Sequence, residues 1–395
     1  MTTINLPTVE GRLVPYAIQN RPLPATATSG RPPRFNRIAY SAAHVVADAL
    51  ADVDPWLDAA IDWDRTIAFR HYLWDLGLGV AEAMDTAQRG MGLDWKAAQA
   101  LIRRALEAAK GRENALIAFG AGTDHLAPDP DVTIDDVIGA YEEQIEFVES
   151  LGGRIILMAS RALARAARGP EDYVRVYGRI VSQAKAPVII HWLGEMFDPS
   201  LEGYWGRADH TEAMDVCFDI IADHADKVDG IKISLLSKEK EIAMRRRLAK
   251  ADATAAVRMY TGDDFNYVDL IAGDEEGYSH ALLGIFDAIA PAASAGLVRL
   301  AANDTAGFRD IMAPTVPLAR HIFKAPTRFY KTGVVFLAYL NGLQDHFVMI
   351  GGQQSARSLT HMAELFRLAD VARVLRDPDL AVDRMRRYLA LGGVS

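Results

Sequence analysis

The feature that most constrains this chain is a rhythm: eight short apolar runs recur between Arg37 and Phe286, each followed by a loop and then a longer stretch of helical character. They read RIAYSAAHVV, LGVAEAM, ALIAFGAG, GRIILMAS, APVIIHW, VDGIKIS, AVRMYTG and, less regularly, GYSHALLGIF. Runs with so few polar interruptions suit strands buried on both faces, and helices between them supply the crossover that parallel strands need. Eight such units over roughly 260 residues predict an α/β fold, a (β/α)8 TIM barrel. A doubly wound open sheet is the rival, but no G-x-G-x-x-G follows the first run.

The helical stretches agree with this reading. DWKAAQALIRRALEAAK puts Ala97, Leu101, Ala105 and Ala108 on one face, with Arg103, Arg104 and Lys110 elsewhere. Thr133 is the expected N-cap of TIDDVIGAYEEQIEFVESLGG, and Gly152-Gly153 its stop. Residues 1–36 hold several prolines and no sustained period, which predicts an extended N-terminal arm. The barrel is expected over 37–300 and a C-terminal helical appendage over 301–395. The appendage's apolar stripe of Phe329, Val334, Phe336 and Leu340 must pack on the barrel or on another subunit, so a homo-oligomer, dimer or tetramer, is expected.

Composition narrows the partners. A net charge of −9 repels a nucleic-acid backbone or an anionic membrane, leaving a small molecule as the expected partner. No segment approaches the roughly 18 apolar residues of a membrane helix, and the start lacks a basic and then apolar leader. The lone Cys217 excludes an internal disulfide and suits a reducing compartment, so a cytoplasmic protein is expected.

In such a barrel, chemistry gathers at the C-terminal ends of the strands. The most telling residue is Lys232, flanked by Ile231 and Ile233 inside VDGIKIS. Burial lowers an ammonium's pKa from about 10.4 toward the range where the free amine attacks a carbonyl. That is a Schiff-base nucleophile's environment; a lysine paired with an acid in the barrel mouth is the alternative. His191, ending APVIIHW, has a near-neutral reference pKa suited to proton transfer, although a lone histidine at a strand end also serves as a structural hydrogen-bonder. The turn MDTAQRG offers Asp85, Thr86 and Gln88 to a small ligand. His44, Asp124, His125, Arg161, Glu195, Asp198, Asp263 and Asp264 also fall near strand ends. A divalent metal held by His44, Asp124, His125, His191 and Glu195 is conceivable, but no H-x-H or H-E-x-x-H spacing supports it, and no cofactor is expected.

The order of segments resembles the dihydrodipicolinate synthase and N-acetylneuraminate lyase family of class I aldolases, from Arg37 to Pro291. The family's first strand and the "iD" after it are similar to RIAYSAAHVV and Ile61-Asp62. Its G-(I/V)-K strand is similar to Gly230-Ile231-Lys232, its G-D-D segment to Gly262-Asp263-Asp264, and its lysine-bearing tail helix to YKTGVVFLAYLNGL. The resemblance implies that Lys232 forms an imine with a 2-oxo acid. Three places depart from the pattern. The G-T-T-G-E turn that holds the substrate carboxylate aligns with Asp85-Thr86-Ala87-Gln88-Arg89, retaining only Thr86, and Asp85 repels a carboxylate unless Arg89 or another donor offsets it. The tyrosine-bearing Y-N-x-P of the fifth strand becomes His191-Trp192-Leu193-Gly194, so histidine takes over proton shuttling. The fourth strand's P-Y becomes Ser160-Arg161, a relocated anion site built on arginine's bidentate fork.

The expected function is a class I lyase, aldolase or dehydratase of carbohydrate metabolism that joins Lys232 to a 2-oxo acid or keto sugar. His191 is its proton carrier, Asp85, Thr86, Arg161 and Asp263 hold substrate, and Trp192 encloses it. The alternatives are a divalent-metal-dependent sugar isomerase, epimerase or lyase, and a non-catalytic ligand-binding barrel.

Overall fold

The structure, a computed structural model, describes residues 2–19, 21–23, 31–113 and 115–394. The stretch 24–30 of the expected arm lies outside the described residues. Each of the eight apolar runs contains one strand: β3 (Ala39–Ala42), β4 (Gly79–Glu82), β5 (Ile117–Ala121), β6 (Ile155–Leu157), β7 (Val188–Leu193), β8 (Val228–Ser234), β9 (Arg258–Thr261) and β10 (His280–Leu283). All pair in parallel, and β10 closes on β3, making a (β/α)8 TIM barrel.

Alternation along these strands decides what faces the lumen. Val80, Phe119, Leu157, Ile190, Ile231 and Ile233 join the apolar layer shared with the outer helices. Tyr40, Ala42, Ala81, Ala118, Ile156, Met158, Ile189, Tyr260 and Leu282 pack into a separate cluster that fills the barrel below its mouth. Lys232 stands in register between His191 and Tyr260 on its two neighbours, so all three side chains share the lumenal side.

The helices start where their caps allow. Asp94 accepts the amide of Ala97 at 2.7 Å, and Thr133 forms a reciprocal capping box with Asp136. Inside the wall, Arg70 grips Glu82 through two 2.8 Å hydrogen bonds, both side chains fully buried, and so ties the helix Trp63–Asp75 to β4.

The N-terminal arm is not simply extended. It folds into an antiparallel hairpin, β1 (Thr3–Pro7) with β2 (Leu13–Ala17), whose Ile4 and Leu6 are buried while β2 is largely exposed. Tyr16 Oη donates to Asp370 at 2.7 Å and clasps the hairpin to the helix Leu359–Val371. The C-terminal stripe packs within the chain itself: Val334, Phe336 and Leu340 are wholly buried in the helix Tyr330–Leu340, so the stripe gives no argument for a second subunit.

Candidate active site

Lys232 is 7% exposed, and among the described residues its ammonium has no hydrogen-bond acceptor within reach and no carboxylate within 4.0 Å. Burial pulls its pKa below the ordinary lysine value, against the opposing pull of Asp264 and Asp85. The lysine needs room on β9's side, and Gly262 supplies it: a Cβ there would lie 2.8 Å from Lys232 Cε and 2.7 Å from the Ile233 carbonyl oxygen. Asp264, two residues on, accepts the Ile285 amide at 2.9 Å, and burial pushes its carboxyl up to about 7. Lys232, Asp264, Ser234, Asp85, Thr86, Gly284 and Tyr330 border one narrow crevice at the barrel mouth.

Asp85 and Thr86 are presented by a strained turn. Ala83 and Gln88, on either side of it, hold left-handed backbone at φ 53° and 66°, which costs a non-glycine residue about 1 kcal/mol or more and recurs at functional sites. The turn aims Thr86 Oγ1 at Tyr330 Oη, 2.8 Å away. Burial raises the Tyr330 phenol well above its usual value, so it stays protonated. Tyr330 stacks on Phe323 with ring centroids 4.3 Å apart, and Gly284 lets both rings approach, since a Cβ there would be 3.1 Å from each. Tyr330 escaped the sequence reading because it opens a helix that looked purely structural. The available signal was Lys331, a lysine in the otherwise apolar YKTGVVFLAYL.

His191 borders a side pocket of about 70 Å³ with Asp85, Arg89 and Asp124. Its Nε2 lies 3.2 Å from Ser234 Oγ, and Nδ1 has no partner among the described residues. Burial, then the charge of Lys232, drives its pKa well below the usual histidine value. Both causes favour the neutral imidazole over the near-neutral titration that the reference pKa suggests.

Outside the crevice opens a vestibule of about 510 Å³, lined among others by Asp85, Arg161, Asp198, Arg328, Tyr330 and Lys331. Arg161 is there, ion-paired with Asp198. Arg89 is not available to offset Asp85, because it donates to Asp124 at 2.9 Å and to Gln144 at 2.8 Å.

Two expected site residues point elsewhere. Trp192, next to an inward-facing residue, faces the outer layer and packs edge-on against Trp205 at 6.0 Å, so it does not enclose the mouth. Asp263 spends its carboxylate on its own loop, accepting from the Phe265 and Asn266 amides and from Asn266 Nδ2; its neighbour Asp264 borders the crevice instead. The metal candidates have separate partners. His44 pairs with Asp287 at 2.8 Å, His125 with Gln144, and Glu195 with His210, and no three such side chains gather among the described residues.

With this geometry known, comparison with other proteins is informative. No curated protein matches the sequence. Among solved structures, the barrel is similar to YagE, a prophage protein of the dihydrodipicolinic acid synthase family from E. coli in complex with pyruvate, at TM-score 0.62 and 12% identity over 90% of this chain and 99% of that one. It is also similar to a chloride-inhibited dihydrodipicolinate synthase from Acinetobacter baumannii complexed with pyruvate, at TM-score 0.60 and 15% identity over 85% and 98%. The dihydrodipicolinate synthase of Bacillus clausii matches at TM-score 0.61 and 14% identity over 84% and 96%. The resemblance read from segment order thus holds for the fold. Sequence assigns the family: residues 4–394 match one family model, and the chain belongs to DUF993, described as proteins of unknown function.

Proposed function

We propose that this protein is a Schiff-base lyase, an aldolase or dehydratase acting on a 2-oxo acid or keto sugar through Lys232. The observation that carries the reading is a buried lysine at the barrel mouth, without an acid in contact among the described residues and with its pKa lowered by burial, beside a crevice of about 10 Å³ that shares its lining with the larger vestibule. Two similar barrels were solved with pyruvate, which makes pyruvate the default oxo acid.

The neutral Nζ adds to the carbonyl carbon, and the carbonyl oxygen takes one proton from Nζ and a second from Asp264 and leaves as water, giving an iminium on Lys232. Asp264, with a carboxyl near neutrality, supplies and recovers the proton for that dehydration. The iminium then accepts the electron pair of the breaking C3–C4 bond, while the C4 hydroxyl gives up its proton and an aldehyde departs. Condensation is the reverse. In the dehydratase variant a C3 proton is lost and the neighbouring hydroxyl leaves as water. Tyr330, bonded to Thr86, is the proton carrier at the substrate hydroxyl, taking the role that the sequence reading gave to His191. His191, neutral and with a free Nδ1, holds the bound intermediate by hydrogen bonding.

Borohydride reduction with pyruvate and a panel of 2-oxo sugar acids, followed by intact mass, tests the reading. The expected result is an adduct of one reduced imine, absent in Lys232→Ala. Absence of an adduct with every oxo compound overturns the imine.

A further inference from the structure

The imine mechanism uses the crevice but leaves the vestibule's cations unexplained. Lys331 is 3% exposed, yet its ammonium meets only Met91 Sδ at 3.0 Å and the Arg328 carbonyl at 3.5 Å, with no carboxylate within 4.0 Å among the described residues. Arg328, three residues earlier, also lacks a carboxylate partner there and rests against the Phe329 ring. Arg161 enters from across the mouth, lying so close over Gly90 that a Cβ at that position would be 2.7 Å from its Nη1. A buried cation without a counter-ion is costly, and a fold keeps one where a ligand supplies the missing charge. Burial depresses Lys331 to about 8 against the pull of Asp85 and Asp198, neither of which comes within 4.0 Å to pair with it.

We propose that the vestibule is a subsite for an anionic group, a phosphate ester or a carboxylate, carried by the substrate at the end remote from its carbonyl. The assignment of the carbonyl end rests on the imine reading above. Vestibule and crevice share Asp85, Leu193, Phe197 and Tyr330, so a chain reaching from Lys232 to Lys331 passes along them. Asp85 lies midway as a hydrogen-bond acceptor for a chain hydroxyl, which repels a carboxylate there and favours a polyol. The substrate class is then a hydroxylated oxo compound with a charged tail, and pyruvate alone fills only the inner half.

Three 2-oxo acids of equal chain length provide the test: 2-oxohexanoate, 2-oxoadipate and 2-oxo-6-phosphohexanoate, with methyl, carboxylate and phosphate tails. The readout is the ratio of half-saturating concentrations for imine trapping within each protein. In the wild type the charged tails saturate at about tenfold lower concentration than the methyl tail, the size of one or two charge-assisted bonds. Lys331→Met and Arg328→Ala each shrink that ratio severalfold, and which tail gains more tells phosphate from carboxylate. Equal values for all three acids in the wild type, or a preference that survives both substitutions, overturns the subsite. Calorimetric binding of the same acids to Lys232→Ala reads the vestibule without covalent chemistry. If no acid is trapped by the wild type but the tail preference persists in calorimetry, the imine falls and the subsite stands; equal affinities there refute the subsite itself.

Discussion

Replacing Gly262 with alanine tests how closely Lys232 is held. The residue cannot slide aside, because its amide donates to the Ile233 carbonyl at 2.9 Å and continues the pairing of β8 with β9. An added Cβ would sit 2.7 Å from that carbonyl oxygen, 2.8 Å from Lys232 Cε and against Ser234 Oγ. Of the three obstacles only the two side chains can yield, so the methyl group displaces the amine or the hydroxyl that bonds His191. Overpacking of this kind costs about 1–3 kcal/mol, which lowers the melting temperature by a few degrees and leaves the protein folded at 25 °C. Misplacement of a reacting group by about 1 Å costs on the order of a hundredfold in rate. The assay is the initial rate of imine trapping at fixed pyruvate and borohydride, followed by intact mass, beside a melting curve. Gly139→Ala is the control: it lies exposed in the helix Ile134–Ser150 with nothing within 4 Å of its Cβ, so alanine adds about 0.5–1 kcal/mol and leaves trapping unchanged. Wild-type trapping by the alanine-262 variant would refute the claim that this contact positions Lys232.

The remaining expectations are brief. Tyr330→Phe keeps the ring stack on Phe323 but loses the bond to Thr86, so condensation of bound pyruvate with an added aldehyde slows about a hundredfold or more while trapping persists; an unaltered condensation rate removes Tyr330 from proton transfer at the hydroxyl. Asp264→Asn removes a negative charge that raises the pKa of Lys232, so the free amine appears at lower pH and the acid limb of the trapping profile moves to lower pH; an upward shift contradicts the sign. In the wild type, Asp264 ionises near 7 in the folded chain against its ordinary 3.8, so it costs stability increasingly as pH rises from 3.8 to 7, and the asparagine variant gains on the wild type over that window in urea titrations. Glu82→Gln leaves the Arg70 guanidinium unneutralised inside the wall, with an expected loss of about 3–5 kcal/mol by urea denaturation; a loss under 1 kcal/mol would mean water reaches the pair.

The sequence was most legible where burial on both faces left an unbroken apolar run. Ile189-Ile190 and Ile231-Lys232-Ile233 have one reading as strands, and a lysine among isoleucines is conspicuous for the same reason. The hairpin was hidden because Pro7 and Pro15 interrupt it and β2 exposes most of its side chains, so no alternation survives to mark it. The choice between Asp263 and Asp264 turned on which of two adjacent carboxylates the loop consumed, a matter of Asn266 and the Ile285 amide rather than of pattern. His191 lies in register with Lys232 as its strand position suggested, but the lowering of its pKa by burial beside an ammonium cannot be read from a reference value. Tyr330 was out of reach because its partner Thr86 is 244 residues away in sequence.

That separation has a consequence for the order in which the molecule becomes competent. A ribosome that has released all eight strands has still to deliver the phenol, the outer ammonium and the arginine of Arg328-Phe329-Tyr330-Lys331. The hairpin waits longer still, because its clasp, Asp370, follows Tyr16 by 354 residues. A nascent barrel therefore carries the buried Lys232 before the side chains of residues 328–331 that stand beside it, and the mouth is complete only when the helices that follow the eighth strand pack onto the barrel.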